Sequence, residues 1–388
     1  MGIEIARGDA VALTQALVRI DSRNPTLSPD SAGERVIARD LADLLSRWGF
    51  AVEPVEPDTS RPNVVARIGP EGAPALMFAG HLDTVGVEGM THQPWAADIR
   101  DGRLYGRGSC DMKSGVAAMC VGALSAYDEL GEAATKQIVV AVVSDEEYES
   151  IGMRALLASG IRADHAILTE PTRLAVCPAH RGFVWAEIEF SGRAAHGSRY
   201  DIGVDAIRHA ALVLAELDSF ETEILTARTH PLLGRASLHA STISGGIGMS
   251  TYPDRCVLAI ERRTLPGESA EEVMNEIRAA CDRVKARDQR LDASVRLLTT
   301  QAPSDVREDA PVVKMVESAL TAESMAARLE GLSAWTDAAL LNEAGIPAIC
   351  FGPGDIGLAH AAEEYVPVSE IEAATAVLAR VAREWMRG

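Results

Sequence analysis

The sequence predicts an α/β protein in which a smaller, ferredoxin-like α+β domain is inserted into a larger α/β domain. Three observations support this prediction. Apolar strands alternate with helical runs up to about Thr169, the order changes to βαββαβ from Arg181, and the α/β pattern returns after about Thr300. A chain of 388 residues also exceeds the size that one hydrophobic core usually serves. We therefore expect one domain made of residues 1–180 and 299–388, and an inserted domain at residues 181–298.

Hydrophobic periodicity predicts the individual elements of the first part. Two amphipathic runs between Asp9 and Phe50 are separated by the turn at Asn24-Pro25-Thr26, and the apolar segment 138–143 is typical of a strand buried on both faces. The Pro-rich loop 53–62 is expected to be mobile. In chain order we predict a helix at 34–48, strands at 63–68 and 75–79, a helix at 114–127, a strand at 138–143, a helix at 152–159 and a strand at 166–169.

The inserted domain and the returning α/β part are predicted in the same way. Half-exposed strands alternate in polarity, whereas the late strand is continuously apolar. In the insert we predict strands at 183–190, 237–244, 254–263 and 293–298, with helices at 204–217 and 271–287. After the insert we predict a helix at 312–322, a strand at 348–351 and a closing helix at 370–386.

Composition excludes several classes of partner. Hydrophobic residues make up 47% and charged residues 24% of the chain, as in ordinary globular proteins. The 37 basic and 56 acidic residues give a net charge of −19, which repels phosphate backbones and anionic membrane surfaces. We expect neither nucleic acid nor membrane as a partner.

The distribution of charges and cysteines predicts a cytoplasmic protein. Glu4, Arg7 and Asp9 interrupt the apolar run that a secretory signal needs, and no later run reaches the roughly 18 apolar residues of a membrane span. The six cysteines are scattered without a CxxC pair, which favours reduced, buried thiols and excludes a zinc ribbon.

Chemistry-bearing residues collect where predicted strands end. His81 and Asp83 follow the strand at 75–79, at the end of the sheet where open α/β folds bind ligands. Alone, this pair is equally consistent with a surface ion pair. The glycine-rich loop 106–115 has no GxxxxGK[ST] pattern, and Asp111 stands where a dinucleotide fingerprint needs its third glycine. Asp111 is also consistent with a simple helix cap.

Acidic residues at two further strand ends strengthen the case for a bound cation. Asp145, Glu146 and Glu147 directly follow the most apolar strand, where adjacent carboxylates repel one another unless a cation or proton compensates. Glu170 follows the next strand, and His360 lies beyond the late strand. Mixed histidine and carboxylate ligands without thiolates suit zinc, with cobalt or manganese as alternatives. The sequence therefore predicts a metal site, with enough ligands for two ions.

These motifs resemble the M20 metallopeptidase family, and most closely its acetylornithine deacetylase and succinyl-diaminopimelate desuccinylase branch. The motifs run from His81 to His360 in family order and cover nearly the whole chain. They are GHLDTV, GRGSCDMKSG, SDEE, TEPT, GRAAHG, ERRTLPGE and FGPG with the later histidine. The resemblance implies a zinc-aminopeptidase-like α/β/α catalytic domain and an inserted lid that forms a homodimer.

The resemblance also implies the roles of the metal ligands. Asp111 bridges two zinc ions, His81 and Glu170 complete one site, and Glu147 and His360 complete the other. Asp83 orients His81 through the second ring nitrogen. The peptide bond after Asp111 is expected to be cis.

Further residues take catalytic or binding roles by the same resemblance. Glu146 matches the general base that takes a proton from the attacking water and returns it to the departing amine. His196 matches a lid histidine that stabilises the oxyanion in a partner subunit's site. Arg263 matches the arginine that binds the substrate's α-carboxylate, although pairing with Glu261 would also explain it. Ser250 stands at a presumed substrate contact where many relatives carry asparagine, so the particular substrate cannot be carried over.

The expected function is therefore a dizinc deacylase that cleaves the amide bond of an N-acyl amino acid with a free carboxylate. Glu170 favours this branch, because peptidase relatives commonly have aspartate there. The alternatives are a dipeptidase, aminoacylase or carboxypeptidase with the same metal centre, or a catalytically silent member of the family that acts in binding or regulation. A serine hydrolase is disfavoured because the chain has no GxSxG motif.

Overall fold

A computed structural model describes residues 2–55 and 61–388 of the chain. Residues 56–60, the centre of the loop predicted to be mobile, lie outside the described residues. The chain forms two compact units. The larger consists of residues 1–178, 306–330 and 336–388, and the smaller of residues 179–305 and 331–335.

Most α-helices lie close to the predicted ones, because their apolar faces fix their extent, whereas α5 extends six residues beyond its predicted end and α8 was not predicted. Helix α6 begins with a capping box, in which Ser269 and Glu272 satisfy each other's backbone N–H groups. In chain order the helices are α1 (Ala10–Val18), α2 (Arg35–Arg47), α3 (Ser114–Leu130), α4 (Ile151–Ala158), α5 (Ala206–Glu223), α6 (Ala270–Arg287), α7 (Pro311–Ala322), α8 (Ala338–Glu343) and α9 (Val368–Arg387).

The strands include several short ones that the sequence analysis did not predict. In chain order they are β1 (Ala51–Val55), β2 (Asn63–Ile68), β3 (Ala75–His81), β4 (Ile99–Arg100), β5 (Arg103–Tyr105), β6 (Gln137–Val143), β7 (His165–Leu168), β8 (Val176–His180), β9 (Gly182–Ser191), β10 (Thr229–His230), β11 (Gly234–Arg235), β12 (Ser237–Gly245), β13 (Arg255–Thr264), β14 (Asp292–Gln301), β15 (Ser304–Asp305), β16 (Leu329–Leu332), β17 (Ala348–Cys350) and β18 (Tyr365–Pro367).

The main sheet of the larger unit determines where the candidate site lies. Its strands follow the order β1-β2-β6-β3-β7-β17-β8. Strand β3 pairs in parallel with both β6 and β7, and β7 pairs in parallel with β17. The carboxyl ends of these four strands therefore meet at one edge of the sheet. Strands β3 and β6 are buried along their whole length, as predicted for a sheet covered by helices.

Helices α3 and α9 pack against each other in the core of this unit. Their close approach depends on Gly122, where an added Cβ would lie 3.0 Å from both the backbone nitrogen of Ala379 and the Cβ of Leu378. A larger residue would push the helices apart, so glycine is required by packing rather than by backbone conformation.

The smaller unit contains a four-stranded antiparallel sheet in the order β12-β13-β9-β14. Helices α5 and α6 cover one face, around a core that includes Ile188, Phe190, Leu258, Val213 and Ile277. Strand β12 lies at the edge of this sheet, and its residues from His239 onward are exposed. The order β9, α5, β12, β13, α6, β14 is that of a βαββαβ sandwich.

The mixed α/β fold predicted from the sequence is confirmed. All six cysteines are buried free thiols. Within residues 2–55 and 61–388, every helix is too short or too polar to cross a membrane.

Candidate metal centre

Seven of the predicted site residues lie in the larger unit, at the edge of the sheet where its parallel strands end. His81 is the last residue of β3, Glu146 and Glu147 follow β6, and Glu170 follows β7. Asp111 lies in a short π-helical turn that leads into α3. His360 follows β17 and has a left-handed backbone conformation, with φ of 60°.

His81 is buried, and both of its ring nitrogens have defined neighbours. Nε2 lies 3.1 Å from Oδ1 of Asp111, and Nδ1 lies 2.9 Å from the backbone carbonyl oxygen of Asp83. A carbonyl oxygen only accepts hydrogen bonds, so Nδ1 carries a proton, and Nε2 is the ring nitrogen that faces Asp111.

The carboxylate of Asp83 lies near His81 but makes its closer contacts elsewhere. Its carboxylate is 3.7 Å from Nδ1 of His81, and its own backbone carbonyl makes the shorter contact. The carboxylate instead accepts hydrogen bonds from the backbone N–H groups of Glu146 (3.1 Å) and Glu147 (3.2 Å). Asp83 therefore orients His81 through its main chain and the segment after β6 through its side chain.

Asp111, Glu147 and His360 form the other half of the cluster. Nε2 of His360 lies 3.0 Å from Oε2 of Glu147 and 3.6 Å from Oδ2 of Asp111. One ligand atom each from His81, Asp111 and Glu147 lies within 4.8 Å of the others, which is close enough to hold a common metal ion. Among the described residues, the buried Oε1 of Glu147 finds no hydrogen-bond partner. An orphaned carboxylate oxygen beside a histidine and a second carboxylate fits a cation.

Glu146 and Glu170 complete the acidic surroundings of His81. Oε2 of Glu146 lies 4.0 Å from Nε2 of His81, so this carboxylate faces the same atom as Asp111. Glu170 is buried two residues after the end of β7, and the negative charge of Asp111 and the positive charge of His81 both act on it.

The pKa values of the buried side chains in this cluster are shifted from their usual ranges. Burial raises the pKa of Glu146 well above its usual range and that of Glu170 to about 8. Its hydrogen bond to Glu147 raises the pKa of His360 to about 9. Burial opposes ionisation of Asp111, but the hydrogen bond to His81 and the positive charges of His81, His360 and Arg107 together lower the pKa of Asp111. Buried acids with raised pKa values that gather at one point indicate a place where a positive charge would be stabilising.

Two residues that sequence reasoning missed support Asp111. Oε1 of the buried Glu364 accepts hydrogen bonds from the backbone N–H groups of Cys110 (2.9 Å) and Asp111 (3.2 Å). Its Oε2 is 2.5 Å from Nη1 of Arg107. The peptide bond between Asp111 and Met112 is cis, as the family resemblance implies. Glu364 stands in an ordinary charged stretch four residues after His360, so no local pattern marks it.

A third missed residue, Asp337, is an acid next to the cluster. It is buried at the start of α8, and within the described chain neither of its carboxylate oxygens has a hydrogen-bond partner. Burial raises its pKa to about 7, and its charge acts in turn on Glu146 and Glu170.

The other three predicted residues lie in the smaller unit. The backbone N–H of Gly197, next to His196, donates to the carbonyl of Ser250 at 2.7 Å, so these two predicted residues are neighbours. His196 itself is exposed and its Nδ1 lies 2.8 Å from the hydroxyl of Ser198. Nε of Arg263 is 2.8 Å from Oε1 of Glu261, which is the pairing that the sequence left open as an alternative.

Comparison with known proteins identifies relatives over the same region. The model of peptidase family M20/M25/M40 matches residues 77–384. An acetylornithine deacetylase from Myxococcus xanthus is 32% identical over 331 residues, which cover 84% of each chain.

Solved structures share the fold at lower sequence identity. A tripeptidase from Staphylococcus aureus superposes with a TM-score of 0.81 and 20% identity, over 100% of both chains. A dinuclear metal-binding peptidase from Bacillus subtilis superposes with a TM-score of 0.74 and 15% identity, over 97% of both chains.

Proposed function

The chain belongs to peptidase family M20/M25/M40, and from that premise we propose that it is a dinuclear metallohydrolase that deacylates an N-acyl amino acid with a free carboxylate. Family membership and relatives named as deacetylases make it a hydrolytic enzyme that acts on amides. The number of metal ions, their identity as zinc and the class of substrate are the proposal.

One observation carries the proposal: the carboxylate of Glu146 and the proposed ligand Asp111 face the same nitrogen of His81. A carboxylate beside a proposed metal ligand, with a pKa that burial raises, is a stronger base than an exposed glutamate. We assign Glu146 as the general base on this ground.

The proposed ligands are the histidines and carboxylates at the carboxyl end of the sheet. In this proposal Asp111 would be shared by both ions, His81 and Glu170 would hold one, and Glu147 and His360 would hold the other. The orphaned oxygen of Glu147 supports this set, and nitrogen and oxygen donors without thiolates suit zinc, cobalt or manganese. Such ions, when bound, polarise the amide carbonyl and make a water molecule acidic.

The side chains then perform the proton transfers. Glu146 accepts a proton from the attacking water and delivers it to the leaving nitrogen, so that the amine departs neutral. Asp83 keeps the Glu146 backbone in place through its hydrogen bond to the N–H group. We propose that His196 donates a hydrogen bond to the developing oxyanion, that Arg263 binds the substrate carboxylate, and that Ser250 contacts the substrate.

Two family activities compete for this site. The curated relatives named acetylornithine deacetylase favour the deacylase, as does glutamate at position 170. The second candidate is a dipeptidase, aminoacylase or carboxypeptidase, which the similarity in fold to a tripeptidase keeps open. The two differ in whether the group on the carbonyl side of the cleaved bond is a small acyl group or an amino acid.

We further propose a cytoplasmic homodimer formed through the smaller unit, which we assign as the lid. Strand β12 is an edge strand, and exposed apolar side chains collect on it and in the following loop, including Ile243, Ile247 and Met249. An unpaired strand edge with apolar neighbours is the kind of surface that a second copy covers.

The test is amine release from N-acetyl, N-succinyl and N-formyl amino acids and from dipeptides, using protein loaded with zinc and a chelated control. We expect chelator-sensitive cleavage of one acyl-amino-acid series. Faster cleavage of dipeptides would favour the peptidase hypothesis. Cleavage that continues after the metal is removed would contradict the proposal that the protein is a metallohydrolase.

A further inference from the structure

We infer that Asn24 is a positioning residue of the metal centre, because its side-chain amide joins two buried aspartates that hold the segment carrying Glu146 and Glu147. This inference deepens the proposed function and rests on it for the kinetic part of its test. Asn24 lies in the turn before α2, far in sequence from every proposed ligand.

Both N–H groups of the Asn24 side-chain amide donate hydrogen bonds to carboxylates. Nδ2 donates to Oδ2 of Asp83 at 2.8 Å and to Oδ1 of Asp145 at 2.9 Å. Asn24 is fully buried, and its backbone N–H donates to the carbonyl of Thr84 at 2.8 Å. The side-chain oxygen accepts from the backbone N–H of Thr26, at 3.0 Å, so the orientation of the amide is fixed.

The two aspartates accept hydrogen bonds from different backbone N–H groups of the segment that follows β6. Asp83 accepts from the N–H groups of Glu146 and Glu147. Oδ2 of Asp145 accepts from the N–H groups of Glu149 (3.2 Å) and Ile151 (3.4 Å). Four backbone N–H groups of residues 146–151 therefore donate to two carboxylates, and both carboxylates accept from the amide of Asn24. A shift of the Asp83 carboxylate would move the proposed base and a proposed ligand together, and a shift of the Asp145 carboxylate would release the end of the same segment.

The backbone of this segment needs such support. Asp145 and Ser150 have φ of 67° and 57°, in the left-handed region that residues other than glycine rarely adopt. The segment also closes on itself, because the N–H of Gly152 bonds to the carbonyl of Ser144 at 3.1 Å. Unfavourable backbone conformations persist where surrounding contacts over-determine them.

Charge explains why an amide occupies this position. Arg61 neutralises Asp145, with Nη1 2.8 Å from Oδ1, but the same guanidinium also pairs with Glu34. One cation is thus shared by two acids. A neutral donor between Asp83 and Asp145 satisfies both without adding charge, whereas its loss would leave two buried carboxylates facing each other.

Three variants test this inference: Asn24→Ala, Asn24→Ser and the control Asn342→Ala. Asn342 is part-buried, whereas Asn24 is fully buried, and the amide of Asn342 donates to the backbone carbonyls of Ala338 and Ala348, each at 2.9 Å. Metal-free protein is titrated with Co²⁺ and followed by its visible absorption spectrum, a readout of coordination that needs no substrate. The kcat and KM of the fully loaded proteins are then compared on a substrate that the wild type cleaves.

For Asn24→Ala we expect Co²⁺ affinity and kcat to fall by about 10- to 100-fold, with KM changed much less. Asn24→Ser retains one donor and should lie between Asn24→Ala and the wild type. Asn342→Ala should lose thermal stability but keep the wild-type spectrum and kcat.

A wild-type spectrum and kcat in Asn24→Ala would overturn the inference, as would equal losses in Asn342→Ala. If neither Asn24 variant folds while Asn342→Ala does, the amide is a structural requirement and the positioning role is wrong. A wild type that binds Co²⁺ but cleaves nothing would contradict the proposed function, while the spectra would still decide the role of Asn24.

Discussion

Glu146 and Glu147 are adjacent in sequence, yet their side chains have different neighbours. Glu147 contacts His360 at 3.0 Å, while Glu146 is directed towards Nε2 of His81 at 4.0 Å. The carboxylate of Asp83 accepts hydrogen bonds from the backbone N–H groups of both glutamates and so fixes the backbone from which the two side chains extend. Residue identity at strand ends predicted the members of this cluster. Its supports, Asn24 and Glu364, were not predictable, because a buried hydrogen bond between distant residues leaves no local pattern.

Replacing Glu146 with glutamine tests its assignment as the base. The amide preserves size but cannot accept the proton, so kcat should fall by about 100- to 10,000-fold or more. Metal content, measured by atomic emission, should stay near that of the wild type. Glu149→Gln is the matched control, because Glu149 is exposed on the same segment and should tolerate the change. Turnover within tenfold of wild type would remove Glu146 from the role of base.

At the scale of elements, the sequence predicted helices better than strands. The apolar periodicity of 114–127 continues to Leu130 in the structure, a difference of three residues. Strands Ala51–Val55 and Val176–His180 were missed, since each contains a proline. Strand β1 lies at the edge of its sheet, which is where proline is tolerated in strands. Such pairing depends on the neighbouring strand and cannot be read from local pattern.

Helix α8 begins after a buried acid, and this predicts how the stability of the metal-free protein depends on pH. Asp337 titrates at about 7 in the folded chain and near 3.9 when unfolded, so between these values the folded state retains a proton that the unfolded state has released. The contribution of Asp337 to stability is therefore lost as pH rises from about 4 to about 7.

Asp337→Asn removes this ionisation and should stabilise the metal-free protein at pH 8 by on the order of a few kcal/mol, with little change near pH 4. Urea unfolding of both proteins at the two pH values measures the difference. Asp43→Asn, at an exposed position of α2, is the control and should change neither value. Parallel pH dependence in Asp337→Asn and the wild type would contradict the account.

For the whole molecule, the division into two units separates the proposed chemistry. The proposed ligands and base lie in the larger unit, whereas His196, Ser250 and Arg263 lie in the smaller. In the sequence, the change in strand pattern at Arg181 is the signal that predicts an inserted domain. The homodimer is implied only by the family resemblance, because surface pairing depends on shape as well as on apolar exposure.

Subunit complementation tests whether His196 serves the site of a partner. Glu146→Gln and His196→Ala should each be nearly inactive alone, the second through kcat more than KM. Co-expressed with different tags, they should form mixed dimers in which one of two sites has both residues intact, which restores about a quarter of wild-type activity in a random mixture. Activity no higher than the sum of the two variants would place His196 outside the partner's site.

The most direct test of the central claim is a titration of metal-free protein with zinc, with bound metal and amide cleavage measured on the same samples. A dinuclear centre built from His81, Asp111, Glu147, Glu170 and His360 predicts about two zinc ions per chain, with cleavage absent before metal is added and maximal when both sites are filled. Saturation at one ion, or cleavage by the metal-free protein, would contradict it.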